Sequence, residues 1–181
     1  MSTDWGMGHS VLVVPVPPME GFARAQALRY DAAWLSPDPA FPHAHVTVLG
    51  PFLPLRDLDA EARELVAEVL ARHTSFAYRL EEIATFPDGT IHLRPDPMEP
   101  FAALTAALWE AFPAYPPYAG RHLDLTPHVT LDMTVTGATE QSLRAQLGRD
   151  LPHRCVADAV VLSWYAAGAC RTLDRWALAP A

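Results

Sequence analysis

The amino-acid sequence predicts an α+β fold made of two related halves, and three observations lead there. Short β-branched segments outnumber helical ones, their returns are short enough for mixed or antiparallel pairing, and one strand signature occurs twice. The repeated signature is PHAHVTV at 42–48 and LTPHVTL at 125–131. Each copy carries His-Val-Thr plus an aliphatic residue, and each is followed after a loop by an amphipathic helical segment. Two such halves would each send one strand to a shared centre. At 181 residues and 50% hydrophobic, the chain can bury a sizeable core and is expected to form a single domain over 1–181.

Residues 11–16 read as a strand rich in valine and stopped by Pro15, Pro17 and Pro18. A helix is predicted over 20–34, where Phe22, Ala25, Leu28 and Ala32 share a face. A proline-rich loop at 36–42 leads into a strand at 45–49 that Gly50-Pro51 ends. Over 58–72, Leu58, Ala62, Leu65, Val66, Val69 and Leu70 recur at helical spacing with charged residues between them. Strands at 76–83 and 90–93, joined through Asp88-Gly89, read as a hairpin. A helix at 100–112 has Pro100 in its first turn and Phe101, Leu104 and Leu108 on one face. The proline- and tyrosine-rich stretch at 111–120 is the candidate joint between the lobes. A strand at 128–133, a helix at 140–147 capped by Thr139, and strands at 155–165 and 171–178 complete the chain.

Charge narrows the partners. With 21 acidic and 13 basic side chains the formal charge is −8, which repels an extended nucleic-acid backbone and excludes a large RNA-gripping surface. A small phosphorylated ligand or the end of an oligonucleotide needs few phosphate contacts and stays compatible. Cys155 and Cys170 do not form a close metal-binding pair and are expected as free thiols in a reducing compartment. The sequence shows neither a signal-peptide pattern nor an apolar run of about twenty residues. The expectation is a cytoplasmic monomer with no membrane span.

The repeated motif carries the chemistry. Side chains at i and i+2 of a strand share a face, so His45 and Thr47 point one way and Val46 and Val48 the other; His128 and Thr130 do the same against Val129 and Leu131. If the halves face each other, two imidazoles and two hydroxyls converge. One ring could take a proton from water while the other, protonated, gives one to a departing alkoxide. The hydroxyls could hold the non-bridging phosphate oxygens. This scheme needs no metal and no cofactor. Each motif alone is better explained as a surface or hydrogen-bonded histidine, and it is the matched pair that points to phosphodiester chemistry.

With HVTVLGPF around His45 and TPHVTL around His128, the chain resembles the 2H phosphoesterase superfamily. These two-histidine enzymes include the bacterial 2'-5' RNA ligase-like proteins and 2',3'-cyclic phosphodiesterases. The resemblance implies a bilobed fold with pseudo-two-fold symmetry, in which sheets face a central cleft. It also implies His128 as general base and His45 as general acid, with the reverse assignment open, and Thr47 and Thr130 on the phosphate. The implied activity is metal-independent opening of a 2',3'-cyclic phosphodiester, on a nucleotide or short RNA end, to a 2'-phosphate. The alternatives are 2'-5' RNA ligation, phosphate or nucleotide binding without turnover, and a metallohydrolase, for which two lone histidines are a thin ligand set.

One departure bears on the choice. Many bacterial relatives carry an arginine just after the second motif, where this chain has Asp132-Met133. A carboxylate there is expected to repel a longer RNA end and so to disfavour ligation. Arg121 or Arg171 could restore positive charge, although solvent exposure explains both better, and Phe52, Tyr118 or Tyr165 could stack on a base, although packing explains each at least as well. His43 reads as a rim residue. His9, His73, His92, His122 and His153 show no pattern that assigns them chemistry.

Overall fold

The computed structural model describes residues 8–30, 32–121, 125–148 and 151–181. In chain order the main elements are β1 (His9–Pro15), α1 (Glu20–Tyr30), β2 (His45–Leu49), α2 (Ala60–Leu70), β3 (Phe76–Thr85), β4 (Thr90–Asp96), α3 (Glu99–Ala111), β5 (Val129–Met133), α4 (Glu140–Leu147), β6 (His153–Ala157), β7 (Ala159–Tyr165) and β8 (Arg171–Ala177). The strands form two four-stranded sheets, ordered β2-β1-β7-β8 and β5-β4-β3-β6. Every neighbouring pair is antiparallel.

The halves correspond element by element at the centre. In each, a strand runs into a helix and returns as an antiparallel neighbour at the sheet edge: β1-α1-β2 in one, β4-α3-β5 in the other. Both His-Val-Thr strands are therefore edge strands. The two sheets share one contiguous core, which includes Leu12, Val14, Val46 and Val48 from the first and Leu80, Ile91, Leu93 and Val129 from the second. Phe101, Leu104 and Leu108 of α3 and Val66, Val69 and Leu70 of α2 fill it, as their helical spacing predicts.

Local signals set several ends. Asp59 accepts a hydrogen bond from the Ala62 N–H and starts α2. Thr139 and Ser142 cap α4 reciprocally, so two otherwise unpaired N–H donors are satisfied. Gly89 turns the β3–β4 hairpin with φ +91°, and a Cβ there would collide with the Thr134 side chain. Both cysteines are free and buried. No helix among the described residues is long and apolar enough to cross a membrane.

Three expectations change. The helix foreseen over 20–34 is α1 to Tyr30, then a 3-10 turn at Ala32–Trp34, and its apolar face meets the core only at its start: Phe22 packs against the core half-buried, no α1 residue is fully buried, and Leu28 is 66% exposed. The strand foreseen over 155–165 is two strands broken at Asp158, one in each sheet. A continuous β-forming run cannot reveal a change of partner. The chain passes between sheets from β2 to β3 and again from β6 to β7, whereas the segment 111–120, foreseen as the joint, lies between α3 and β5. That segment reaches the first half through the Tyr118 N–H, which donates to the Gly50 carbonyl at 2.6 Å.

Candidate active site

The two motif strands reach each other across the gap between the sheets. Opposed residues on antiparallel strands share a face, and Thr47 stands opposite Val13 while Thr130 stands opposite His92. The faces behind them are core: Val46, Val48, Val129 and Leu131 are all buried. In both strands the residue after the threonine is the extra residue of a β-bulge, since the register skips Val48 in β2 and Leu131 in β5. The bulge stops the alternation, so the residues beyond each threonine no longer face the way their parity suggests.

The imidazoles are anchored alike. His45 Nδ1 lies 3.1 Å from the Pro42 carbonyl oxygen and 3.3 Å from the Tyr165 hydroxyl. His128 Nδ1 lies 2.8 Å from the Thr126 carbonyl oxygen. A carbonyl accepts only, so each ring carries its proton on Nδ1 and leaves Nε2 as the nitrogen for proton exchange. Glu20 supports the first motif: its carboxylate bonds His43 Nδ1 at 2.6 Å and accepts from the Ala44 N–H at 3.0 Å, immediately before His45.

Burial drives both rings toward neutrality. It pulls the His45 pKa from 6.5 to about 4, against the opposing influence of the Pro42 and His43 backbone and the Glu20 charge. A charge on His128 lowers it further, so each ring lies within the electrostatic reach of the other. The His128 pKa is also lowered by burial, while the Thr126 carbonyl and the Asp88 carboxylate partly offset the effect. Burial also pushes the Tyr165 hydroxyl upward, keeping it protonated beside His45.

Beside His128 lies a cavity of about 790 Å³, whose lining includes Phe86, Asp88, Tyr118, Arg121, His128 and Thr130. A narrower crevice is lined by Thr47 and Gly50 from the first half and Thr126 and Pro127 from the second. Tyr118 and Thr126 line both spaces. Among the described residues no group of three or more His, Cys, Asp or Glu side chains is placed to hold a metal.

Residues 16–169 match the 2'-5' RNA ligase superfamily. The chain belongs to that family. Its fold is similar to solved structures across nearly the whole length. One, described as TT0787 of Thermus thermophilus, is 18% identical, has a TM-score of 0.60, and aligns over 95% of this chain and 98% of that one. Escherichia coli LigT complexed with 3'-AMP is 19% identical with a TM-score of 0.53 over the same shares. A phosphoesterase structure is 18% identical with a TM-score of 0.54, again over 95% and 98%. No curated protein matches the sequence. Membership of the 2H, or 2'-5' RNA ligase-like, superfamily brings with it a family-level hydrolase or ligase activity on phosphodiesters.

For this superfamily member the residues foreseen around the motifs separate into two groups. His128, Thr130 and Arg121 line the large cavity, Thr47 lines the crevice, and His45 meets Tyr165. Phe52 does not reach the site: it is 4% exposed and packs edge-on against Phe112 and Tyr115, which leaves no face for a base. Arg171 is exposed at the start of β8, where its guanidinium donates to the Ala169 carbonyl, and it lines neither space.

Asp132 does not oppose ligation in the way its place in the sequence suggests. The bulge at Leu131 turns it to the face of Ile91, away from Thr130, and it is 7% exposed. Its carboxylate accepts from the Tyr30 hydroxyl, the Met133 N–H and the Thr136 hydroxyl. It ties α1 to β5 and lines neither space.

Phe86, Asp88 and His92 were not foreseen. His92 alternates with Thr90 and Arg94 along β4, a signal that becomes legible only once β4 is known to pair with β5. His122 lies outside the described residues.

Proposed function

We propose that the protein hydrolyses a 2',3'-cyclic phosphodiester, on a nucleotide or a short RNA end, to a 2'-phosphate by two-histidine acid and base catalysis without a metal. The observation that carries this reading is the pair of edge strands in contact with each other, each with its motif imidazole held at Nδ1 by a carbonyl, and His45 lying within the electrostatic reach of His128. One neutral ring takes a proton from water as the water oxygen bonds to phosphorus. The bond from phosphorus to the 3' oxygen breaks, and the other ring, protonated, gives its proton to that oxygen. Thr47 and Thr130 donate hydrogen bonds to the non-bridging oxygens. The roles of the rings exchange when the reaction runs backward.

A cavity of about 790 Å³ falls in the size range of small-ligand sites, about 300–1,000 Å³, and suits a nucleotide better than a long RNA. The ligands with which LigT is complexed, 3'-AMP, NADP+, ATP and phosphate, fit the same class. Ligation to a 2'-5' linkage is a second reading, favoured by the family description and by the turning away of Asp132. The test is to incubate chelator-treated protein with 2',3'-cyclic AMP, GMP, CMP and UMP and with RNA ends bearing a 2',3'-cyclic phosphate or a 5'-hydroxyl. Release of 2'-nucleotides is the expected result. Joined RNA as the sole product would favour ligation, and activity only with added zinc or manganese would refute the metal-free scheme.

A further inference from the structure

We infer that His92 is a positioning residue, whose ring, stacked on Phe86, forms the wall that holds the His128 imidazole beside Thr130. The inference rests on His128 acting as acid or base in the proposed reaction. His92 lies flat on Phe86, with ring centroids 3.8 Å apart and planes 17° apart. His128 meets both rings steeply, at 5.4 Å and 67° from His92 and 4.9 Å and 84° from Phe86. His92 also stands directly across the strand pair from Thr130, the other motif side chain of that half. One ring thus backs both groups.

The architecture does not demand a histidine at this position. The corresponding place in the first half, opposite Thr47, is filled by Val13, which is fully buried like His92. Histidine is the costlier choice, because its Nε2 is buried with no hydrogen-bond partner, and an apolar side chain would avoid that cost. Nδ1 faces the Thr90 carbonyl oxygen at 3.3 Å, which fixes the turn of the ring. Burial, with the charges of His128 and Arg94, lowers the His92 pKa against the opposing influence of the Thr90 carbonyl and the Glu140 carboxylate. It is 0% exposed and does not line the cavity, so it acts on substrate only through His128.

Two substitutions separate the roles. His92→Val copies the first half and removes the ring, whereas His92→Phe keeps the stack and removes both nitrogens. With 2',3'-cyclic AMP as probe, H92V should lower kcat about 10- to 100-fold, the scale of a misplaced catalytic group, with KM nearly unchanged. H92F should recover most of the loss. Nitrogen NMR of the His128 ring is the second readout: wild type and H92F should show a single tautomer protonated at Nδ1, and H92V a mixture. Wild-type kcat in a folded H92V, an H92F as impaired as H92V, or an unaltered His128 tautomer in H92V would each overturn the inference. If wild-type protein does not cleave the probe, the proposed function fails, and the tautomer comparison still decides whether His92 positions His128.

Discussion

Acidification should weaken this protein through His45, by an amount the structure allows one to work out. The ring has a pKa near 6.5 when exposed in the unfolded chain and about 4 when folded. Above both values it is neutral in either state and contributes no pH dependence. As pH falls through 6.5 the unfolded chain gains a proton that the folded protein refuses, so stability drops, and the loss levels off below about 4. At pH 5 the contribution is about 2 kcal/mol, and its limit is about 3 kcal/mol. His128 and His92 shift the same way, so wild type should lose more than this in total. Replacing His45 with glutamine, which does not titrate, isolates the single contribution. Urea unfolding of wild type and His45→Gln at pH 7.5 and 5.0 gives four stabilities. The wild type should lose about 2 kcal/mol more than the variant between those pH values. Equal losses, to within about 0.5 kcal/mol, would refute the claim that His45 is held neutral by burial.

Alanine at His45 or His128 should lower turnover of a cyclic nucleotide by roughly 10²- to 10⁴-fold while circular dichroism stays native, and retention of wild-type turnover by the double variant would remove both from the mechanism. The pH dependence should be bell-shaped and belong to the pair. Because burial lowers both pKa values in the free site, and a bound phosphate anion raises them, the optimum of kcat should lie at higher pH than that of kcat/KM; coincident optima would contradict this. Thr47→Ala and Thr130→Ala should each cost about 1–3 kcal/mol in kcat/KM, read from initial rates. Asp132→Ala should lower unfolding stability by about 1–3 kcal/mol through its three lost partners, with kcat little changed; a large kcat effect at native stability would return Asp132 to the site.

Much of the fold is legible along the chain. The core faces of α2 and α3 are readable because helical period 3.6 brings Val66, Val69 and Leu70, or Phe101, Leu104 and Leu108, to one side whatever they pack against. The Asp88-Gly89 turn and the Thr139 cap are readable because a turn or cap involves only residues a few positions apart. Helix α1 departs from expectation for a related reason. Its apolar positions share a face, but periodicity does not say whether anything covers that face, and Leu28 meets solvent.

The sequence by itself determined the repeated strand, the alternation that puts His45 with Thr47 and His128 with Thr130, and the family these imply. Only the tertiary structure decided that β6 and β7 join different sheets, that Leu131 is a bulge that removes Asp132 from the cleft, and that His92 stands opposite Thr130. It also decided that Tyr165 belongs beside His45 and Phe52 belongs in the core. The physical reason lies in the range of the interactions involved. Alternation, caps and turns arise from backbone geometry over a few residues, whereas sheet partners and bulges depend on which segments, far apart in sequence, bury each other's apolar faces.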